Sequence, residues 1–169
     1  MIPTATESYV QRLVALKKGE LTLLRNHAGG PLDQSVEGFD LFTGLWWSLR
    51  QESQRAPRRE VAWLVAKLFA TFPIPHTPGV RLARQLARSW PRTESEGSRF
   101  RFRMDEMLVS PFTDIEPSLR WALNHIAKSK LDLDWVRLID DLSVWDRRNV
   151  QFNWAEEVLN EMGMVEASR

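Results

Sequence analysis

The sequence of 169 residues contains no cysteine. This absence excludes a disulfide framework, a thiolate metal site and a cysteine nucleophile, and it suits a reducing compartment. A membrane-spanning segment is also missing, because the longest run without Asp, Glu, Lys or Arg, residues 68–80, is short and contains three prolines. Residues 1–7 have neither a basic start nor an apolar core, which predicts that no export signal is present. We therefore expect a soluble, cytoplasmic protein.

Strand-like alternation of apolar and polar residues is almost absent and occurs only over residues 99–103. Elsewhere the apolar residues recur at helical spacing, as Val61, Leu64 and Leu68 do. Hydrophobic residues make up 43% of the chain and charged residues 27%, which is a globular composition. The sequence thus predicts an all-α, single-domain bundle of six to seven helices, with an N-terminal helical part over about residues 1–56 and a C-terminal part over about residues 57–163.

The apolar stripes of these helices have no other apolar surface to meet, so we expect them to form the core. The residues predicted to be largely buried are Val61, Leu64, Leu68, Phe69, Leu119, Ala122, Ile126, Leu138, Ile139 and Leu142. Trp63 lies opposite the first stripe, which predicts either a second packing layer or a partner interface. The adjacent Trp46 and Trp47 cannot both point the same way.

Capping signals predict where several helices begin and end. Near the N-terminus, Thr6 caps a helix that Gly19 ends. Another helix starts at residues 77–78, with threonine as the N-cap and proline in the first position, and runs to Trp90. The last helix covers about residues 147–162, and Gly163 stands where a left-handed C-terminal cap belongs.

The net charge of +1 conceals a segregation along the chain. Residues 61–103 carry 8 Lys+Arg against 2 Asp+Glu, whereas residues 104–169 carry 7 against 13. Seven of the basic residues in the middle segment are arginine, the side chain that grips phosphates bidentately. Two interpretations stay open: a polyanionic partner, or internal pairing between the basic middle and the acidic end.

Motifs for catalysis or metal binding are missing. The three histidines are far apart along the chain, no pair has metal-ligand spacing on one helix, and no glycine-rich phosphate loop occurs. One enzyme hypothesis remains, in which His125 works with Asp132, Asp134, Asp140 and Asp141, but these carboxylates are better explained by a helix cap at Asp134 and a solvated helix face. We expect no catalytic residue, no metal and no cofactor.

Basic rows are the most informative feature. Arg81, Arg84 and Arg88 share one helix face, and residues 78–92 contain no acidic residue to pair with them. This pattern predicts contact with a nucleic-acid backbone. Further basic candidates are Arg99, Arg101 and Arg103 before another helix, Arg120 and Lys128 in a second row, and Arg147 and Arg148 at the start of the final helix.

Six segments, taken in their order along the chain, resemble the CasB family, the small subunit of the type I-E CRISPR surveillance complex Cascade. They are residues 80–87, 99–103, 118–123, 133–135, 140–148 and 152–155. The resemblance is strongest from about residue 61 to residue 159, and it rests on the ordered set because no single motif is diagnostic.

The resemblance implies an all-α protein that works as two copies beside the crRNA-bearing backbone subunits and the large subunit. It implies binding to crRNA-guided target DNA and the displaced strand, stabilisation of the R-loop, and no catalysis. By position, the basic residues it points to are Arg25, Arg81, Arg84, Arg101, Arg103, Arg120, Arg147 and Arg148. The alternative is a purely structural helical adaptor whose arginines pair with protein.

Overall fold

The computed structural model describes residues 2–26, 36–91 and 93–167. For residues 36–39, 148 and 163–167 it describes the backbone alone. Within these ranges the protein has nine α-helices, a 3₁₀ helix at Phe112–Asp114 and an isolated β-bridge between His76 and Leu133. The α-helices are α1 (Ala5–Val14), α2 (Lys18–Asn26), α3 (Val36–Glu52), α4 (Arg59–Thr71), α5 (Leu82–Arg88), α6 (Glu94–Val109), α7 (Glu116–Lys128), α8 (Trp135–Ser143) and α9 (Arg148–Ala167). The predicted all-α fold is confirmed, and the described residues form more helices than expected.

The N-terminal helix boundaries differ from the prediction. Thr4 caps α1, because its hydroxyl oxygen accepts a hydrogen bond from the backbone N–H of Glu7 at 3.1 Å, whereas Thr6 is buried inside the helix. Gly19 does not end α1, which stops at Val14, but lies in the first turn of α2. Helix α2 was not predicted. It buries only Leu24, so its sequence has no apolar stripe strong enough to indicate a helix.

The helix expected from residue 78 begins at Leu82 instead. Gly79 has φ of +86°, a left-handed conformation that cannot continue into an α-helix, and its N–H donates to the carboxylate of Asp134 at 2.8 Å. Asp134 therefore holds this turn. Thr77 is not an N-cap, since its hydroxyl donates to Asp132 Oδ2 at 2.8 Å.

The expected stop at Gly163 is also wrong. Helix α9 passes through Gly163 and continues to Ala167. Met, Val, Glu and Ala follow the glycine, and these residues all tolerate a helix, so a single glycine is not enough to terminate it.

The chain contacts divide into two units. The first comprises Met1–Pro73 and Trp135–Ser143, and the second comprises Ile74–Asp134 and Val144–Arg169. Helix α8 thus groups with the N-terminal helices, and the division expected near residue 56 stays a prediction. The single domain over the whole chain stays a prediction.

Helix α4 is the centre of the first unit, where it packs against α2, α3 and α8. Every residue from Val61 to Leu68 is buried, and Trp63 packs edge-on against Phe42 with ring centroids 5.5 Å apart. The second packing layer predicted for Trp63 is therefore confirmed. Tyr9 of α1 donates its hydroxyl to the carbonyl of Ala62 at 2.6 Å, and burial raises the pKa of this phenol.

The second unit pairs α5 with α9 and α6 with α7, and both pairs are tied together by contacts of α7 with α5 and of α9 with α6. Trp145 anchors the chain before α9, since its indole N–H donates to the carbonyl of Ser110 at 2.8 Å and its ring packs edge-on against Trp154. These helix pairs position the basic side chains discussed below.

The predicted core is buried with one exception. Phe69 is only half-buried, and its ring packs edge-on against Trp135 at a centroid distance of 5.2 Å. Trp46 is buried and Trp47 is exposed, as their adjacency required. Among the residues that the structure describes, no helix is both long and apolar enough to cross a membrane.

Candidate nucleic-acid interface

Three arginines line the outer side of α5. Arg81 is the residue before the first helical turn, and Arg84 and Arg88 follow one turn apart on the helix. All three are exposed, whereas Leu82 and Leu86 point into the core. The basic row predicted from the spacing is present, and we call these three residues the α5 arginines.

The α5 arginines face two glutamates of α9. Arg81 forms an ion pair with Glu157, Arg84 Nε lies 3.4 Å from Glu161 Oε2, and Arg88 Nε lies 2.9 Å from Glu161 Oε1. The Glu161 side chain is only 13% exposed, because two guanidinium groups cover it. The internal pairing that the charge segregation allowed is therefore present, and nucleic-acid contact by these arginines stays a prediction.

The arginines of α6 have different surroundings. Arg99 and Arg101 are exposed and form no ion pair or hydrogen bond with the described part of the chain. Arg103 pairs with Glu106 one turn away at 3.4 Å, and its guanidinium carbon lies 5.7 Å from the centroid of the Trp121 ring. We call Arg99, Arg101 and Arg103 the α6 arginines.

An aromatic groove lies between α6 and α7, with a volume of about 750 Å³. Phe100 forms its floor and packs against Trp90, Trp121 and His125 at centroid distances of 4.3, 4.8 and 5.2 Å. Gly97 permits this packing, because a Cβ atom there would lie 3.3 Å from the indole nitrogen of Trp90. Arg99, Phe102 and Arg103 also line this space, which we call the α6–α7 groove.

His125 stands in the wall of the α6–α7 groove. Burial lowers the pKa of its imidazole, and the nearby positive charge of Lys128 lowers it further. The ring is therefore neutral at physiological pH, with one nitrogen donating and the other accepting. Its ring contacts are with Phe100 and Trp121, not with a carboxylate.

The remaining predicted basic residues lie elsewhere. Arg25 donates from Nε to the carbonyl of Ala70 at 3.0 Å, near the end of α4. Arg120 pairs with Glu116 at 3.0 Å within α7. Lys128 and Arg147 are exposed. The side chains of Arg148, Arg92 and His27 lie outside the described residues.

The carboxylates of the enzyme hypothesis hold local structure. Asp132 and Asp134 fix the turn before α5, as described above, and Asp141 pairs with Arg137 at 3.3 Å within α8. Asp146 accepts from the backbone N–H of Phe112 at 3.0 Å. Within the described part of the chain no three His, Asp or Glu residues are grouped as metal ligands. Asp132, Asp134, Asp141 and Asp146 thus each hold a local structural contact.

Sequence reasoning missed three residues of this region. Glu157 and Glu161 stand one turn apart on α9, a spacing that was visible in the sequence but had no stated partner. Phe102 falls off the stripe of Phe100, Met104 and Met107, and this mismatch with the buried face signals an exposed ring.

Comparison with known proteins supplies the family. The sequence profile described as CRISPR-associated protein Cse2 matches residues 20–157. No protein of curated function matches the chain in sequence. The crystal structure of M. ruber CasB is similar with a TM-score of 0.77 at 20% identity, over 98% of this chain and 98% of that chain. A CRISPR-associated protein of the Cse2 family from Thermus thermophilus is similar with a TM-score of 0.69 at 23% identity, over 90% of this chain and 94% of that chain.

The structural likenesses lie below 25% identity and establish the fold, whereas the profile match covers most of the chain and establishes the relationship. Both agree with the resemblance read from the ordered segments of the sequence. The chain belongs to the CRISPR-associated Cse2 family, whose members include the CasB proteins.

Proposed function

We propose that this protein is the non-catalytic small subunit of a type I-E Cascade complex, in which it binds nucleic-acid backbone without sequence preference and stabilises the R-loop. Its partners are the target DNA and displaced strand, the other Cascade subunits and a second copy of itself, all in the cytoplasm. Family membership supports the CRISPR context, and the exposed Phe152 and Leu159, two turns apart on α9, offer an apolar strip to a neighbouring subunit.

The observation that carries the nucleic-acid part of this proposal is the exposure of Arg99 and Arg101. Both guanidinium groups lack an ion pair to the described residues, so a phosphate can bind them without displacing a carboxylate of that part of the chain. Binding through such groups neutralises phosphates and releases counterions, and it reads no base. A guide-directed complex needs this kind of contact, because base pairing supplies the sequence specificity.

The α5 arginines are weaker candidates for the same role. A phosphate that approaches Arg84 or Arg88 has to compete with Glu161, whose carboxylate already lies at 2.9 to 3.4 Å. If all three α5 arginines contacted a single strand independently, removing them would flatten the plot of log affinity against log salt by about 2 units. Because of the pairing with α9, we expect a smaller change.

The salt dependence of single-stranded DNA binding tests the proposal. Arg99→Ala with Arg101→Ala should flatten the salt slope by about 1.4 units, two contacts at roughly 0.7 each. Lys18→Ala with Arg55→Ala is the matched control, since it removes two exposed charges from the first unit. An unchanged slope in the α6 variant, with the protein folded by circular dichroism, would overturn the backbone-binding role.

A structural adaptor is the second candidate, and the pairs between α5 and α9 favour it for the α5 arginines. In that role the triple variant Arg81→Ala, Arg84→Ala, Arg88→Ala keeps its DNA affinity and loses thermal stability. If both the α5 triple variant and the α6 double variant keep the wild-type salt slope, the adaptor describes the whole protein.

A further inference from the structure

The α6–α7 groove combines two kinds of surface that a single nucleotide also combines. Its interior is aromatic, with Phe102, Trp121 and His125 around the floor formed by Phe100. Its rim carries guanidinium groups, of which Arg99 has no ion pair to the described residues. Phosphate contact through the backbone does not need aromatic rings, so the groove has a feature that the function proposed above leaves unused.

We propose that the α6–α7 groove holds one unpaired nucleobase of a single strand, stacked on its aromatic rings, with the neighbouring phosphates on Arg99 and Arg103. This inference rests on the proposed nucleic-acid-binding function and specifies which part of the nucleotide enters which part of the site. The base occupies the apolar interior, and the sugar–phosphate chain passes over the rim of α6.

Phe102 is the side chain that points most directly to a stacking role. Its ring is 69% exposed beside a groove of about 750 Å³, although the same helix buries Phe100 to 2% exposure. The solvent-facing side of an exposed ring makes no packing contact that stabilises the protein. A nucleobase can cover that side by stacking, and any of the four bases can do so. The neutral imidazole of His125 and the carboxylate of Glu96 add groups that hydrogen-bond base edges.

The rim fits phosphates better than it fits a purely apolar ligand. Arg99 and Arg103 are one turn apart on α6, so their side chains leave the helix about 6 Å apart along its axis. Phe102 lies between them in the sequence and on the groove side. An acidic polypeptide would satisfy the arginines equally well but would leave the rings uncovered, and this separates it from a nucleotide in the test.

The test compares two single-stranded probes of equal length, one of deoxythymidines and one with the same sugar–phosphate backbone but no bases. Phe102→Ala should weaken binding of the thymidine strand by at least about fivefold, the lower end for one stacked base, and should leave binding of the abasic strand unchanged. Trp47→Ala is the control, because it removes an exposed aromatic ring (49%) on α3 that does not line the groove. It should change neither affinity.

A second measurement reports stacking directly. A strand with one 2-aminopurine should lose fluorescence when it binds the wild type and keep more of it with Phe102→Ala. If the wild type binds both strands equally and Phe102→Ala changes neither, backbone binding stands and the base-binding groove is refuted. If polyglutamate competes as well as the thymidine strand at the same salt, the groove takes an acidic chain, and the inference is also wrong. If the wild type binds no strand at all, the proposed function falls together with it.

Discussion

The second unit carries two groups of arginines that differ in what they face. The α5 arginines meet Glu157 and Glu161 across a helix pair, whereas Arg99 and Arg101 of α6 meet solvent. Both groups belong to the basic middle of the sequence, and both are exposed. The difference shows that availability to a phosphate depends on the acidic partners that the tertiary fold provides, and that charge counts along the chain do not reveal it.

The largest expected effect comes from removing the floor of the α6–α7 groove. Phe100 is 2% exposed and touches three other rings, so Phe100→Ala should lower the free energy of unfolding by about 3–5 kcal/mol. Urea denaturation measures this change. Phe100→Leu keeps most of the volume and should cost about half as much or less. A loss below about 1 kcal/mol for the alanine variant would mean that the ring cluster does not support α6.

The next prediction would make the two arginine groups alike. Glu157→Gln with Glu161→Gln removes the carboxylates that occupy the α5 arginines, so the affinity for single-stranded DNA at low salt should rise by about 2- to 30-fold. The salt slope should also become steeper. Fluorescence anisotropy at several salt concentrations measures both quantities.

Glu156→Gln with Glu166→Gln is the matched control for charge, since it neutralises two other glutamates of α9. An equal rise in affinity with the control would attribute the effect to net charge. No rise with either variant would mean that the α5 arginines do not reach the strand even when they are released.

The sequence predicts the arginine row on α5 because the row depends only on helical spacing. It does not predict the partners of the row, because Arg88 and Glu161 are 73 residues apart and meet only through the packing of α5 on α9. The buried stripes of α4, α7 and α8 are likewise local patterns and are predictable. The turn at Gly79 depends on a tertiary neighbour, Asp134, and so it cannot be predicted from the sequence. The exposure of Phe102 was predictable, because this residue lies outside the buried stripe of α6.

A smaller effect is the pH dependence of stability, to which His125 in the α6–α7 groove should contribute. The pKa of His125 is lower in the folded protein than in the unfolded chain, so between these two values the unfolded state binds more protons. The free energy of unfolding therefore has its full value, as far as His125 is concerned, above about pH 6.5. It decreases as the pH falls below this value, by at most about 1.4 kcal/mol per pH unit. The charged groups that face the ring are Lys128 on α7 and Glu96, Arg99 and Arg103 on α6.

Denaturation of the wild type and of His125→Asn between pH 7.5 and 5.5 measures this difference. The variant should lose the part of the pH dependence that comes from His125. Identical pH profiles for the wild type and His125→Asn would mean that the imidazole is not desolvated in the groove.

The smallest expected effect is the loss of stability when salt screens the ion pairs between α5 and α9. Raising the ionic strength from about 0.1 to 1 M shortens the Debye length from about 10 to 3 Å, which screens partly exposed ion pairs. The arginines of these pairs are about half exposed, so the free energy of unfolding should fall by less than about 1 kcal/mol. Chloride salts suit this measurement, since sulfate strengthens apolar burial in its own right. The triple variant Arg81→Ala, Arg84→Ala, Arg88→Ala should show no such fall. Arg99→Ala with Arg101→Ala should show the same fall as the wild type, because Arg99 and Arg101 form no ion pair with the described residues. If the α6 double variant also loses the salt dependence, the two groups are coupled through the unit, and the contrast between paired and available arginines does not hold.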